Sequence, residues 1–389
     1  MSVSAGPFGA EVEREILAGH GPSRSSIGRV AGAHLDTLGA LGRAAAEATL
    51  LRHLIGLGPL STLAADPSVT DIMLNGDGSV WVERGGVLEP GGPPIETSAG
   101  RPLAVRLAGL AGRRLDDAQP WVDGVLPGGV RLHAVLPPIA QGGACISLRF
   151  PRARAAGVAA LAELGVVGPD LARVLLEVVT ARVSFVVTGG TGAGKTTVLA
   201  ALLAECSPRE RLVVVEDVRE LRPEHPHVVS LEGRSPNVEG AGGVTLVDLV
   251  RQALRMRPDR LVVGEVRGAE VRELLTALNT GHDGGASTLH ANGPQEVPAR
   301  LEALGALAGM SREAVHSQLR GALQVVVHLS RHDGARRVSS IGVVRTSGSG
   351  EVEVVVAARP GGGGLVGGPG RGALLALLPG AAGCEWLDP

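Results

Sequence analysis

Residues 184–200 read SFVVTGGTGAGKTTVLA. An apolar run suited to a buried strand, 184–187, leads into a glycine-rich turn and then into a helical run, 198–204. Within it, Gly189-x-x-x-x-Gly194-Lys195-Thr196 has the Walker A spacing, placed between strand and helix as the mechanism requires. Glycines let successive backbone N–H groups turn toward phosphate oxygens, and the helix N-terminus adds partial positive charge. The residues expected around the phosphates are Gly189, Gly190, Thr191, Gly192, Ala193, Gly194, Lys195, Thr196 and Thr197. Lys195 is expected to reach the β and γ phosphates and the Thr196 hydroxyl to face Mg²⁺, so ATP and Mg²⁺ are the expected ligands.

Composition singles out the same lysine. Of 37 basic residues 36 are Arg, Tyr is absent and Phe occurs three times, a bias that resembles GC-rich coding. Under it a Lys survives best where Arg cannot replace it, and the sole Lys is Lys195. A compact ammonium threading between phosphates is such a position. The formal net charge of -2 gives no electrostatic reason to expect direct nucleic-acid binding. Cys145, Cys206 and Cys384 are too dispersed for a disulfide framework or a zinc site. No uncharged run is long enough to cross a bilayer, and Glu11, Glu13 and Glu15 stand where a signal peptide would be basic then apolar. A cytoplasmic protein without a transmembrane segment is expected.

At 389 residues the chain is expected to hold two domains with extensions. Residues 1–47 read as a helical N-terminal extension. Short strands and turns over 48–150 (70–74, 80–83, 130–136 and 144–150) indicate a small α/β domain. A linker, 151–160, precedes a second α/β domain over 161–358, with strands at 183–188, 212–216, 228–231, 261–264, 285–289 and 324–329 separated by helices. That alternation predicts a largely parallel sheet covered on both faces. A closing hairpin is expected over 337–344 and 352–357, and 359–389 reads as a Gly-rich, poorly ordered tail.

Two further apolar runs end in carboxylates. Leu261-Val262-Val263-Gly264-Glu265 resembles a Walker B strand, with Gly replacing the usual Asp before Glu. Val213-Val214-Val215-Glu216-Asp217 is the second, with Glu220 one turn on. Two acidic strand ends beside a P-loop predict one metal organiser and one general base among Glu216 and Glu265, with Glu265 and Thr196 on the Mg²⁺ side.

The order and spacing of segments over roughly 50–344 resemble the type II/IV secretion ATPase superfamily and, within it, the Tad/Flp pilus-assembly ATPases. The segments are Gly56-Leu57-Gly58-Pro59-Leu60, Asp71-Ile72-Met73-Leu74-Asn75-Gly76, Asp123-x-x-Leu126-Pro127, Ile146-x-Leu148-Arg149-Phe150, Glu216-Asp217-x-x-Glu220-Leu221, Leu254-Arg255-Met256-Arg257-Pro258, Gly264-Glu265-Val266-Arg267-Gly268, Gly281-His282-Asp283-Gly284 and Thr288-x-His290-Ala291-Asn292. In this family Gly-Glu is the normal Walker B ending. The resemblance implies a RecA-like P-loop NTPase motor domain behind a smaller N-terminal α/β domain, assembled as a homohexamer. It also implies arginines completing the site: Arg131 and Arg149 from the first domain, and Arg255, Arg257 and Arg267 from the motor. His282 and His290 match the family's His box. The four-cysteine zinc insertion of some type II relatives is absent, which favours the Tad/Flp branch.

The expected activity is ATP hydrolysis driving pilus assembly or secretion through an inner-membrane platform protein, from a peripheral position on the inner face of the membrane. Two rivals are kept: a type IV secretion ATPase for DNA transfer, and a non-hydrolysing, ATP-binding ring scaffold.

Overall fold

The structure is a computed structural model and describes residues 56–387 apart from 67, 128, 151–156, 235, 237–240, 333–334 and 349. The expected helical extension, 1–47, and most of the expected linker lie outside the described residues. The chain divides into two compact units between Arg152 and Ala153.

In the first unit, helix α1 (Ser61–Ala64) precedes strands β1 (Val69–Leu74), β2 (Val80–Arg84) and β3 (Val87–Pro90); helix α2 (Thr97–Leu110) then leads to β4 (Trp121–Val125), β5 (Arg131–Val135) and β6 (Cys145–Arg149). All six strands form one antiparallel sheet in the order β3-β2-β1-β6-β5-β4. Side chains alternate across it: Ile72, Leu132, Ile146 and Leu148 are buried with Leu103 and Leu107 of α2. Helix α2 and strands β3 and β4 are absent from the sequence reading. Gly100 and Pro102 mask the helical pattern of α2, although its Leu103, Ala104, Leu107 and Ala108 make a continuous buried face.

The second unit opens with α3 (Val158–Glu163) and α4 (Pro169–Thr180), so the end of the expected linker is helix. It continues with β7 (Phe185–Gly189), α5 (Lys195–Ala204), β8 (Leu212–Glu216), β9 (Val228–Glu232), α6 (Leu246–Ala253), β10 (Arg260–Val266), α7 (Val271–Leu278), β11 (Ala286–Leu289), α8 (Val297–Leu307), α9 (Arg312–Ala322) and β12 (Val325–His332). Strands β12, β7, β11, β10, β8 and β9 lie side by side and are parallel. Alternate residues feed opposite faces, since Leu212, Val214 and Val262 join one apolar cluster with α4 and α5, while Val213, Val215, Leu261 and Val263 join another with α6 to α9. This is the doubly covered sheet that the strand–helix alternation predicts.

The antiparallel pair β13 (Ala335–Thr346) and β14 (Val352–Pro360) extends the sheet beyond β12. The expectation of a disordered tail is corrected here. Residues 361–387 contain β15 (Leu365–Gly367), α10 (Arg371–Leu377) and β16 (Trp386–Leu387), and both strands join the same sheet. Leu365, Leu374, Leu378 and Ala381 are almost wholly buried in the α4–α5 cluster, and the Arg371 guanidinium lies 4.7 Å from the Trp386 ring centroid. Four apolar anchors spaced through glycine are enough to fix the segment, because burying each offsets part of the ordering cost.

A buried charge cluster ties the N-terminal ends of the central strands. Arg260, 2% exposed, donates from Nε to Glu210 Oε2 at 2.9 Å and from Nη2 to the Val179 carbonyl at 2.8 Å. Arg182 donates to the other Glu210 oxygen and to the Asp259 carbonyl. Removing the carboxylate strands a guanidinium in the interior, so Glu210→Ala is predicted to lower unfolding free energy by about 3–5 kcal/mol in a denaturant titration. The double variant Glu210→Leu with Arg260→Met is predicted to lose markedly less; an equal or greater loss would contradict a cost dominated by the unpaired charge.

Candidate nucleotide site

The P-loop leaves the end of β7 at Gly189, whose φ is 149°. A Cβ there would stand 2.6 Å from the Leu329 carbonyl oxygen of β12, so only glycine fits. Gly192 and Gly194 also take positive φ, 71° and 97°, and α5 starts at Lys195. Ala193 is packed into the α4–α5 cluster at 2% exposure. Gly190, Thr191 and Thr197 are exposed and Thr196 is half-buried. Glycine-permitted turning and a helix N-terminus are both present, which fits a phosphate chain.

Lys195 is 8% exposed. Its Nζ donates to the Gly189 and Gly190 carbonyls at 3.0 Å each and lies 3.4 Å from both ring nitrogens of His290. His290 Nε2 pairs with Glu265 Oε1 at 2.8 Å, and the other Glu265 oxygen accepts from Arg267 Nη2 at 2.5 Å. Arg267 Nε also stands 3.6 Å from Asp217. A continuous polar chain therefore runs from the P-loop across the C-terminal ends of β7, β11, β10 and β8. Burial, then the adjacent Lys195 charge, hold the His290 pKa below its usual value against the pull of Glu265. Neutral His290 with its proton on Nε2 donates to Glu265. Burial likewise lowers the Lys195 pKa, opposed by Glu265 and Glu220.

Glu216 ends β8 differently. Its Oε1 accepts from the backbone N–H of Glu220 at 3.1 Å and of Leu221 at 3.0 Å, while Oε2 is buried without a partner. Burial pushes its pKa up to about 7, against the lowering by those two N–H groups. The Gly at Walker B has a steric cause: a Cβ on Gly264 would lie 2.5 Å from Glu216 Cγ. The side chain of Glu216 occupies the space that an aspartate on β10 would need. Glu216, Glu265 and the Thr196 hydroxyl are the groups that could face a divalent cation. No cluster of three or more His, Cys, Asp or Glu suited to holding a metal occurs among the described residues. One hydroxyl and two carboxylates as the available donors fit a cation held largely by phosphates and water, as Mg²⁺ commonly is.

Not every expected residue joins this site. His282 lies before β11 and bonds the Ala277 carbonyl at 3.2 Å, and exposed Arg255 and Arg257 lie before β10. In a parallel sheet that is the opposite end from the P-loop, so these three residues stand apart from their own chain's P-loop. Arg131 and Arg149 are cross-strand neighbours in the first unit. With Asp71, Asp123 and His133 they line a pocket of about 310 Å³, and Arg149 Nε pairs with Asp71 at 3.0 Å. The sequence reading missed Arg336, whose Nε donates to the Gly192 carbonyl at 2.7 Å and braces the loop tip from β13. It also missed His328, bonded to Thr188 beneath the loop. Neither lies in a motif, and only the sheet order brings them there.

The Glu216 environment gives a pH prediction. Its folded pKa of about 7 lies above the ordinary value of 4.5, so the folded protein binds more protons between those values and stability falls as pH rises through that window. Glu216→Gln is predicted to flatten this slope and to stabilise nucleotide-free protein above pH 7, by on the order of 2–3 kcal/mol. Thermal melts from pH 5 to 8 test it; parallel curves for the two proteins would refute it.

Comparison with known proteins places this geometry in a family. The sequence profile described as type II/IV secretion system protein matches residues 54–351. A putative conjugal transfer protein of Mycobacterium tuberculosis strain H37Rv is 55% identical over 79% of this chain and 89% of its own length. The conjugal transfer protein TrbB of Rhizobium radiobacter is 33% identical over 71% and 84% respectively. The fold is shared with the ATPase DotB of Legionella pneumophila (TM-score 0.51, 19% identity, 77% of this chain and 78% of that one) and with the pilus retraction motor PilT (0.50, 21%, 76% and 80%). The expected Tad/Flp assignment is not what these relatives' names favour; they carry conjugal-transfer names. The chain belongs to the type II/IV secretion system protein family, and it is a secretion-system ATPase.

Proposed function

We propose that this chain is the hexameric ATPase of a conjugative type IV secretion machine. The activity itself, ATP hydrolysis, comes with the family and removes the non-hydrolysing scaffold as a rival. The observation that carries the site assignment is the continuous Lys195–His290–Glu265 chain at the mouth of the P-loop. Conjugal transfer is favoured over pilus assembly by the names of the relatives. Among the described residues no helix is long and apolar enough to cross a membrane, so attachment to the machine would run through a membrane-embedded partner.

Backbone N–H groups of residues 190–196 receive the phosphate chain, and Lys195 exchanges the Gly189 and Gly190 carbonyls for phosphate oxygens. Mg²⁺, when bound, would be held with the help of Thr196 and Glu265 and would supply charge neutralisation at the phosphates. Glu265 is already engaged by His290 and Arg267, whereas Glu216 keeps one buried oxygen without a partner and a pKa near 7. Those are the properties of a general base, so Glu216 is assigned to orient and deprotonate the attacking water. In a ring, exposed Arg255 and Arg257 are available to the adjacent subunit's site.

Three measurements test this reading. Lys195→Arg is predicted to lose at least about a hundredfold in turnover despite keeping its charge, because a planar guanidinium cannot follow an ammonium into the loop. Turnover within a few-fold of wild type would reject that geometry. Lys195→Ala and Arg255→Ala, each inactive alone, are predicted to regain activity when mixed, since a ring then holds some intact sites; a mixture as inactive as its components contradicts action between subunits. Deleting the gene is predicted to abolish DNA transfer between cells and to leave surface pili unaffected; the opposite result would return the assignment to pilus assembly.

A further inference from the structure

Strand β12 runs Val325-Val326-Val327-His328-Leu329, four aliphatic residues interrupted by one imidazole. His328 is 7% exposed, its neighbours Val326 and Val327 are wholly buried, and Leu329 is 1% exposed. A β-branched aliphatic residue would fill this position without the cost of burying a polar ring. The ring must therefore make hydrogen bonds that such a residue cannot.

The observed one lies beneath the P-loop. Parallel pairing sets His328 against Thr188 and Leu329 against Gly189, so His328 lies directly beside the last residue before the P-loop. Its Nδ1 is 2.9 Å from the hydroxyl of Thr188, which is completely buried. The Asn292 backbone and the Glu296 carboxylate oppose the effect of burial, which holds the His328 pKa below its usual value, and the 294–296 turn beyond Asn292 packs against β12. Asn292 is two residues beyond His290, and its own N–H donates to Glu296 Oε2 at 3.0 Å. The neutral imidazole accepts from the threonine hydroxyl and offers its remaining ring nitrogen to the segment that carries His290. The pairing of β12 with β13 slips between His328 and Leu329, so the strand departs from regular geometry at this residue.

We propose that His328 is a positioning residue for ATP hydrolysis: by joining Thr188 beneath the P-loop to the backbone at Asn292, it fixes the separation between Lys195 and His290. The inference rests on the ATPase reading of the site. The contact from His290 to Lys195, at 3.4 Å, is at the outer limit of hydrogen bonding, so a small displacement of the 290–292 segment breaks it. His328 acts through this segment and touches no expected phosphate position itself.

The test is a double-mutant cycle on the full chain. His328→Leu and Thr188→Val are each predicted to lower kcat about tenfold or more while leaving the KM for ATP within about threefold, since the phosphate-binding backbone is kept. In a His290→Ala background neither substitution is predicted to lower kcat further, because the residue being positioned is gone. His328→Gln, with polar atoms at the end of its side chain, is predicted to recover part of the loss. Thermal melts establish that each protein is folded, and Thr188→Val, a near-isosteric change, carries the test if His328→Leu does not fold. Losses that add to that of His290→Ala, or a change in KM alone, would overturn the proposal. Wild-type protein without ATP turnover would instead count against the ATPase reading.

Discussion

One buried ammonium organises the candidate nucleotide site. Lys195 is 8% exposed, and a charge so far removed from water persists only if surrounding groups replace its hydration. Two P-loop carbonyls, His290 and, through it, Glu265 do this. Each sits at the C-terminal end of a different parallel strand, so the sheet order β12-β7-β11-β10-β8 determines the site as directly as the motifs do. The demand for close packing continues behind the loop, where Gly189 approaches β12 too closely for any side chain, and laterally, where Gly264 makes room for Glu216. Glycine at both positions reflects backbone and side-chain crowding around one charge rather than looseness.

Much of this was legible from local pattern. Walker A, the two acidic strand ends and the alternation of strands and helices each need only a short window, and the structure places Lys195, Glu216, Glu265, Arg267 and His290 at one end of one sheet. The anomaly of glycine before Glu265 could not be explained in sequence, because its cause is a side chain 48 positions away. Arg260 and Glu210 are likewise 50 residues apart, so a buried pair was indistinguishable from two surface charges in an arginine-rich chain.

What the sequence concealed has physical causes as well. Arg255 and His282 stand close in sequence to P-loop-side motifs, but each precedes its strand, and a residue before a parallel strand emerges at the opposite end of the sheet. The tail was read by composition, and abundant glycine concealed the anchors Leu365, Leu374 and Leu378, which are buried below 2% exposure. Branch within the family was the least legible property. The segments that suggested pilus assembly build the two folded units, and nothing in them specifies what the machine moves.

The central claim is that the phosphates of ATP lie on the P-loop within reach of Lys195 and Glu216. A structure determined with a non-hydrolysable ATP analogue and Mg²⁺ tests it most directly. The account predicts the phosphate chain on the backbone N–H groups of residues 190–196, Lys195 Nζ moved from the Gly189 and Gly190 carbonyls onto phosphate oxygens, and Glu216 Oε2 facing the water in line with the terminal phosphate. Phosphates bound away from this loop, or Lys195 still held by its own carbonyls beside them, would contradict it.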